Sequence, residues 1–410
     1  MGNMIGSGVF LLPASLAAYR GLSLLGWVIS AAGSVCLALV FARLAAFRPA
    51  SGGPYAYTRQ AYGDLAGFLV AWGYWISIWT ANAALAVAFV GYLDPFIPSV
   101  VRNPISAASL AVGTIWLLTA VNCRGALVAG RVQFVTTTLK ILPLLLIGIA
   151  GTMAFEPSHF SLAGVEGGIG TGVMATVTLT LFAFVGLECA TVPAGSTADA
   201  RRTIPRATVI GTLLAAALYL ISTVGVMSLM DPATLTKSTA PFADAARVLA
   251  GDSAAALVAI GASISCFGAL NGWVLIGGQV PLAVAQDGLF PSAFARLSSR
   301  GTPVFAMIVG AVLSTVLVAM NFSRGLVELF TFILLLATLS TLVPYTFCSL
   351  AGVILHRRER TMSWSTGASI VSGLAFIFAL FAIGGAGPDV VFWGFLLLLA
   401  GLPVYAYLGK

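Results

Sequence analysis

Apolar residues form long segments along the chain, and short polar links separate these segments. A membrane-spanning helix needs about 20 mostly apolar residues, and the segments predict about twelve spans. None of them alternates apolar and polar residues as a barrel strand does, so the pattern predicts an all-α polytopic membrane protein. The predicted spans lie near 1–18, 23–47, 65–93, 105–122, 132–154, 170–192, 207–230, 253–285, 303–320, 325–355, 366–385 and 389–408.

Composition excludes the soluble classes of protein. The chain has 410 residues, of which 59% are hydrophobic and only 8% are charged. Soluble domains carry about 25% charged residues, so this chain has too few charges to cover a surface that faces water. The same apolar excess excludes intrinsic disorder.

The distribution of basic residues predicts the orientation. Fourteen of the 20 Lys and Arg residues fall in one set of alternate links, five fall in the other set, and Lys140 lies within a span. By the positive-inside rule the richer set is cytoplasmic, which puts the C-terminus inside the cell. Topology therefore explains the net charge of +7. The partner it indicates is the lipid bilayer, and nucleic acid has no role.

A glycine-rich stretch, residues 2–8 with the sequence GNMIGSG, opens the first span. Each glycine within a helix costs about 1 kcal/mol relative to alanine, so this stretch is predicted to be unwound. A helix that resumes after such a break directs its free N–H groups at the gap, which suits a carboxylate. Close helix packing through small residues is the alternative, but Ser7 adds a hydrogen-bond donor that packing does not need.

A second break is predicted in span six, where Gly186 precedes Glu188. Glu188 is the one carboxylate near the middle of a predicted span. Such a residue is a functional candidate, although a protonated carboxyl that only caps free backbone groups is an equal alternative. Breaks in spans one and six are typical of a five-plus-five inverted repeat that binds substrate between the two broken helices.

Three further polar or aromatic residues lie within predicted spans. Lys140 in span five is either an amine that exchanges protons or an ammonium fixed on backbone carbonyls. Trp273 in span eight has a ring face that can hold a cation, or it simply packs. Asn82 lies within span three.

Other functional classes have little support. His159 and His356 both fall in predicted links, so no buried histidine is available to an intramembrane hydrolase or a haem. The five cysteines are far apart and form no metal-binding pattern. We therefore expect no enzyme activity, no metal and no cofactor. A channel remains an alternative, although no filter motif is visible.

Several motifs carry a family resemblance over nearly the whole chain: GNMIGSGVFLLP at 2–13, SGGPYAY at 51–57, GLE at 186–188, GW at 272–273, DGLFP at 287–291 and TLVPY at 341–345. Together they resemble the amino acid–polyamine–organocation (APC) transporter superfamily. Within it, the chain is most similar to the bacterial arginine/agmatine antiporters of the basic amino acid/polyamine antiporter family.

The resemblance implies a set of substrate-binding positions: Met4, Ser7, Gly8, Ser77, Ile78, Asn82, Leu85, Phe182, Val185, Trp273 and Ala337. Ser7 and the N–H of Gly8 would hold the substrate carboxylate, and the carbonyls of Met4, Phe182 and Val185 would hold its α-amino group. The resemblance also implies gates: Tyr74, Glu188 and Tyr345 on the cytoplasmic side, Trp273 in the middle, and Phe182 as the outer lid.

The chain departs from the antiporters in three ways. It has Phe182 where they have tryptophan, so the aromatic lid loses its indole N–H. It has Lys140 where they have a small apolar residue. Proton-coupled members of the superfamily carry a lysine at that place, where the amine stands in for a sodium ion. Relatives also have a further half-helix before the glycine motif, so we expect the N-terminal half of helix one to be missing here.

The expected protein is therefore a single transporter domain over 1–410. Spans one to five cover about 1–154, spans six to ten about 170–355, and two accessory spans about 366–408. We expect a secondary transporter of the bacterial inner membrane that exchanges a cationic amino acid for another such amino acid or its decarboxylated amine. The alternative is a proton-coupled symporter in which Lys140, with Glu188, is linked to the proton. The resemblance also implies a homodimer through the accessory spans.

Overall fold

The computed structural model describes residues 1–162, 168–320, 326–359, 364–386 and 388–408. Turns and short links join the helices of these residues, and no β-strand is present among them. Their α-helices are α1 (Ser7–Ala17), α2 (Leu22–Phe47), α3 (Pro54–Tyr62), α4 (Asp64–Gly91), α5 (Pro98–Val101), α6 (Pro104–Cys123), α7 (Ala126–Met153), α8 (Ile169–Phe182), α9 (Ala200–Leu229), α10 (Pro232–Leu235), α11 (Pro241–Gln286), α12 (Val304–Met320), α13 (Leu326–Glu359), α14 (Thr366–Gly385), α15 (Pro388–Leu399) and α16 (Leu402–Tyr407).

The chain is a multi-pass membrane protein. Eight helices in the described ranges are long and apolar enough to cross a membrane, and four shorter apolar segments accompany them. The predicted all-α polytopic class is thus confirmed, whereas the number of spans stays a prediction. The short helix α3 lies in the segment between the second and third predicted spans, where the sequence predicted only a link.

Both predicted breaks are present. Residues before Ser7 form turns, and α1 begins at Ser7 with Gly6 as its N-cap, so the first N–H groups of α1 have no acceptor within the helix. Helix α8 ends at Phe182, and two 3₁₀ turns precede α9. Gly186 in this segment has φ of +106°, a left-handed conformation that glycine adopts without steric penalty.

The two breaks lie side by side, because Asn3 before α1 donates a hydrogen bond to Sγ of Cys189 in the second break at 3.3 Å. Helix α4 packs along α11 and α13, α7 packs along α9 and α11, and α2 packs along α8 and α9. An inverted repeat makes spans one to five equivalent to spans six to ten. The α4–α13 pair joins spans three and ten, so its equivalent joins spans eight and five, which are α11 and α7. The repeat itself remains a prediction.

Helix α11 is longer than the predicted span over 253–285 because it includes a short helical segment before a corner in the backbone. The backbone turns a corner at Ala250 and Gly251, where Gly251 has φ of +77°. Arg247 pairs with Asp244 at 2.5 Å and with Asp252 at 2.8 Å, so its guanidinium joins the two sides of this corner. These groups are exposed, and such pairs stabilise a fold only slightly.

Candidate functional site

A small cavity lies between the two helix breaks. It is lined by Asn3, Met4, Gly6, Ser7, Gly8, Ser77, Ala81, Ala84, Leu85, Phe182, Val185, Trp273, Ala337 and Thr341. The volume of this cavity is about 30 Å³. A cavity needs at least about 10–15 Å³ to hold one water molecule. The cavity therefore has room for one or two water molecules, and an amino acid can enter only when the walls move.

Most of the predicted binding residues meet at this cavity. Nine of the eleven line it, whereas Ile78 and Asn82 are not among its described lining residues. Ile78 packs against α11, where its Cγ2 would lie 3.0 Å from a β-carbon placed at Gly277. Asn82 is buried, and its Oδ1 has no hydrogen-bond partner in the described structure.

Two aromatic side chains close the cavity. A β-carbon at Gly8 would lie 2.6 Å from Cε1 of Phe182, so this ring rests directly on the start of α1. Trp273 is buried, and its Nε1 donates a 3.2 Å hydrogen bond to the carbonyl oxygen of Asn3. The indole thereby holds α11 against the unwound segment before α1.

The three residues of the predicted cytoplasmic gate also meet. Tyr74 of α4 donates to Oε1 of Glu188 at 2.6 Å, and Tyr345 of α13 donates to Oε2 of the same carboxyl group. Oε2 also accepts the N–H of Gly186 at 3.2 Å. Glu188 therefore joins the second break to α4 and α13, and all three side chains are buried.

Lys140 reaches the first break from α7. Its side chain is fully buried, and its amine donates to the carbonyl oxygens of Gly2 and Ile5, each at 2.5 Å. Ser265 of α11 donates to the oxygen of Ile5 at 3.1 Å and to that of Gly6 at 3.3 Å. These side chains satisfy carbonyls that the unwound backbone leaves free, as membrane burial requires.

The match to a known family extends over almost the entire sequence. Residues 1–407 match the family described as "Amino acid permease". The chain belongs to the amino acid permease family. This confirms the expected APC superfamily, and it makes the chain a transporter of small molecules rather than an enzyme.

Named relatives of the permease span its whole length. The cadaverine/lysine antiporter of Escherichia coli (strain K12) is 32% identical over 99% of this chain and 92% of its own. The putrescine transporter PotE of Haemophilus influenzae is 30% identical over 99% and 94%. A Bacillus subtilis (strain 168) protein provisionally named an arginine/ornithine antiporter is 33% identical over 100% and 95%.

A chain of four carboxamides in the permease was missed by the sequence reasoning. Asn122 of α6 donates to Oδ1 of Asn271 at 3.0 Å, and Asn271 of α11 donates to Oε1 of Gln133 at 3.3 Å. Gln133 of α7 in turn donates to Oδ1 of Asn3 at 3.4 Å. Amide side chains within or beside apolar spans were the available signal, since each needs a partner there.

The carboxamide chain continues to the gate, because Asn3 donates to Sγ of Cys189 at 3.3 Å. It therefore ties α6, α7 and α11 to both helix breaks. These bonds hold the unwound segment against α7 and α11. We therefore expect the loss of one of them to favour opening of the permease on the side of Glu188.

We expect Gln133→Leu to increase the rate at which a maleimide labels Cys189. One hydrogen bond contributes about 1 kcal/mol, so labelling should rise about fivefold as open molecules become more frequent. Labelling would be measured with the partly exposed Cys36 and Cys123 replaced by serine. Gln286→Leu, at the exposed end of α11, is the control. Equal labelling of Gln133→Leu and the control would contradict the role of the chain.

We expect Tyr345→Phe to make the permease leak. The substitution removes the hydroxyl that contacts Glu188 and lies 3.3 Å from the N–H of Gly186, so the empty carrier opens more easily. Efflux of preloaded labelled substrate into substrate-free buffer should rise several-fold. Tyr219→Phe is the control, because that hydroxyl is buried without a partner in the described structure. Unchanged efflux from Tyr345→Phe would remove this residue from the gate.

Proposed function

We propose that the permease exchanges cationic amino acids, and the polyamines formed from them by decarboxylation, by alternating access. The observation that carries the proposal is the uncharged cavity between the two helix breaks. At one end lie the hydroxyl of Ser7 and the free N–H groups of α1, which suit a carboxylate. The aromatic rings of Phe182 and Trp273 line the same cavity. The names of the relatives support cationic substrates.

The walls of the cavity suit a cationic head even though none of its described lining residues carries a charge. Ser77 donates its hydroxyl proton to the oxygen of Tyr74 at 2.7 Å, and Thr341 donates to that of Ala337 at 3.0 Å. The hydroxyl oxygens of Ser77 and Thr341 therefore keep lone pairs that accept hydrogen bonds from an ammonium or guanidinium group. The ring of Trp273 adds cation–π attraction, worth about 2 kcal/mol in a dry site.

The substrate path involves a larger cavity beyond the Phe182 lid. This vestibule of about 1170 Å³ is lined by α1, α4, α6, α11 and the polar link before α11. Its lining residues Leu11 and Val87 follow the site residues Gly8 and Leu85 closely along the same helices. In the proposed cycle Phe182 opens toward the vestibule, and the contacts of Glu188 break to open the opposite side.

Proton-coupled symport is the second candidate, and Lys140 is the observation that favours it. Its amine is fully buried on the carbonyls of the first break. Loss of its proton would weaken those contacts and release the unwound segment. In an exchanger the same amine is a permanent structural ammonium.

The proposed location is the bacterial inner membrane, with the C-terminus in the cytoplasm. The excess of basic residues in alternate links supports this orientation. In this orientation α3 and the start of α9 face the cytoplasm, and the vestibule faces the periplasm. A homodimer through residues 366–408 remains an expectation from the resemblance.

Uptake of labelled arginine into proteoliposomes tests the proposal. Vesicles would be prepared with and without internal arginine or agmatine, and each would be assayed with and without an inward proton gradient. An exchanger takes up label only when an internal partner is present, regardless of the gradient. Gradient-driven uptake into empty vesicles would favour symport instead, and no arginine uptake under any condition would reject cationic substrates.

A further inference from the structure

Five exposed arginines surround the start of α7 and of α9: Arg124, Arg131, Arg201, Arg202 and Arg206. We call them the arginine cluster. None of them forms an ion pair within the described ranges, and helices α7 and α9 contain no acidic residue. Elsewhere on the same face, Arg48 pairs with Glu359, and Arg59 pairs with Asp64 and Asp287. Asp199, directly before α9, is the nearest acidic residue in sequence and forms no ion pair within the described ranges. The five arginines therefore present an excess of positive charge.

The arginines of the two helices are neighbours in space. Helices α7 and α9 pack along each other. Gly130 and Ala207, which adjoin Arg131 and Arg206 in sequence, both line one cavity of about 260 Å³. The cluster is thus one surface formed by two adjacent helix ends.

Exposed apolar side chains continue from the cluster along both helices. On α7, Phe134 and Val135 lie about one turn after Arg131, and on α9, Ile210 lies one turn after Arg206. Residues three and four apart share a helix face. The guanidinium groups therefore stand at the end of an apolar surface, which is where lipid headgroups meet acyl chains.

We propose that the arginine cluster binds the headgroup of an anionic phospholipid of the cytoplasmic leaflet, with its acyl chains along the apolar surface of α7 and α9. Guanidinium groups bind phosphate oxygens in a bidentate manner, and basic clusters just cytoplasmic of membrane helices attract anionic lipids. The bound lipid would hold α7, which carries Lys140 and Gln133, against α9. The proposal relies on the proposed orientation but not on the identity of the substrate.

Lipid retention by the purified permease tests this proposal. The detergent-solubilised protein would be mixed with equal amounts of phosphatidylglycerol and phosphatidylcholine of the same acyl chains, and bound lipid would be counted by native mass spectrometry. We expect the wild type to retain at least about fivefold more phosphatidylglycerol. Inorganic phosphate at equal concentration should not displace it, because it lacks acyl chains.

The variants separate a specific site from general attraction. Arg131→Gln/Arg206→Gln should lose the preference for phosphatidylglycerol. Arg131→Lys/Arg206→Lys keeps the charge and should keep most of the preference, and it also shows whether the protein folds with substitutions at these two positions. Arg296→Gln/Arg300→Gln, which removes the same charge from exposed positions between α11 and α12, should behave as wild type. The proposal is overturned if the wild type shows no preference, if phosphate displaces the lipid, or if Arg131→Gln/Arg206→Gln keeps the preference. It is also overturned if Arg296→Gln/Arg300→Gln loses as much preference as Arg131→Gln/Arg206→Gln.

Discussion

Ser7→Ala is expected to raise the KM for arginine and lysine about 10- to 100-fold while the KM for putrescine or agmatine stays nearly unchanged. A hydrogen bond to a charged group contributes about 1.5–3 kcal/mol, and about 1.4 kcal/mol is tenfold in affinity. Ser7 is buried and lines the cavity at the start of α1. Polyamines have no carboxylate, so they lose nothing when the hydroxyl is removed.

The two substrate classes act as controls for each other in this experiment. A misfolded variant would transport neither class, whereas loss of the carboxylate contact affects the amino acids alone. Ser15→Ala, on the part of α1 that lines the vestibule, should leave both KM values as in wild type. An equal rise for amino acids and polyamines in Ser7→Ala would show that Ser7 does not hold the carboxylate.

Lys140→Met is expected to reduce exchange more than tenfold and to lower the melting temperature. The substitution keeps the length of the side chain but removes the amine that satisfies the oxygens of Gly2 and Ile5. The oxygen of Gly2 then has no partner within the described ranges, and that of Ile5 keeps only Ser265. A buried acceptor left without a partner costs about 1–3 kcal/mol, so the unwound segment loses its position beside the cavity. Arg296→Met, which removes an exposed basic residue between α11 and α12, should match wild type in both measurements.

The flux that survives in Lys140→Met distinguishes the two candidate functions. If the permease is an exchanger, this flux is as insensitive to a proton gradient as the wild type. If it is a symporter, gradient-driven uptake disappears with the amine. A Lys140→Met protein with normal exchange and normal stability would contradict the structural role of the amine as well.

The two breaks could be predicted from the sequence, because glycine destabilises a helix at its own position whatever the rest of the chain does. The gate around Glu188 came from the family resemblance, and the structure places its three residues in contact. The partners of Lys140 could not be predicted from its position. The carbonyls it binds lie more than 130 residues away in the chain, so only the packing of α7 against the first break brings them together.

Helix rotation limits what a motif can predict about a cavity. Ser77, Ala81, Ala84 and Leu85 of α4 face the site, at the spacing of a single helix face. Ile78 lies one residue from Ser77 and is rotated toward α11. Residue types alone do not fix this rotation, and the carboxamide chain was missed because its members come from four separate segments.

A cryo-electron microscopy structure of the permease with arginine bound would show whether the substrate lies between the two helix breaks. We expect density in the cavity between the breaks, with the carboxylate against Ser7 and the N–H of Gly8 and the guanidinium group toward Trp273. We also expect Phe182 to move to make room, because the closed cavity offers only about 30 Å³. Arginine bound only in the vestibule, with the central cavity closed and unchanged, would show that the substrate site does not lie between the two breaks.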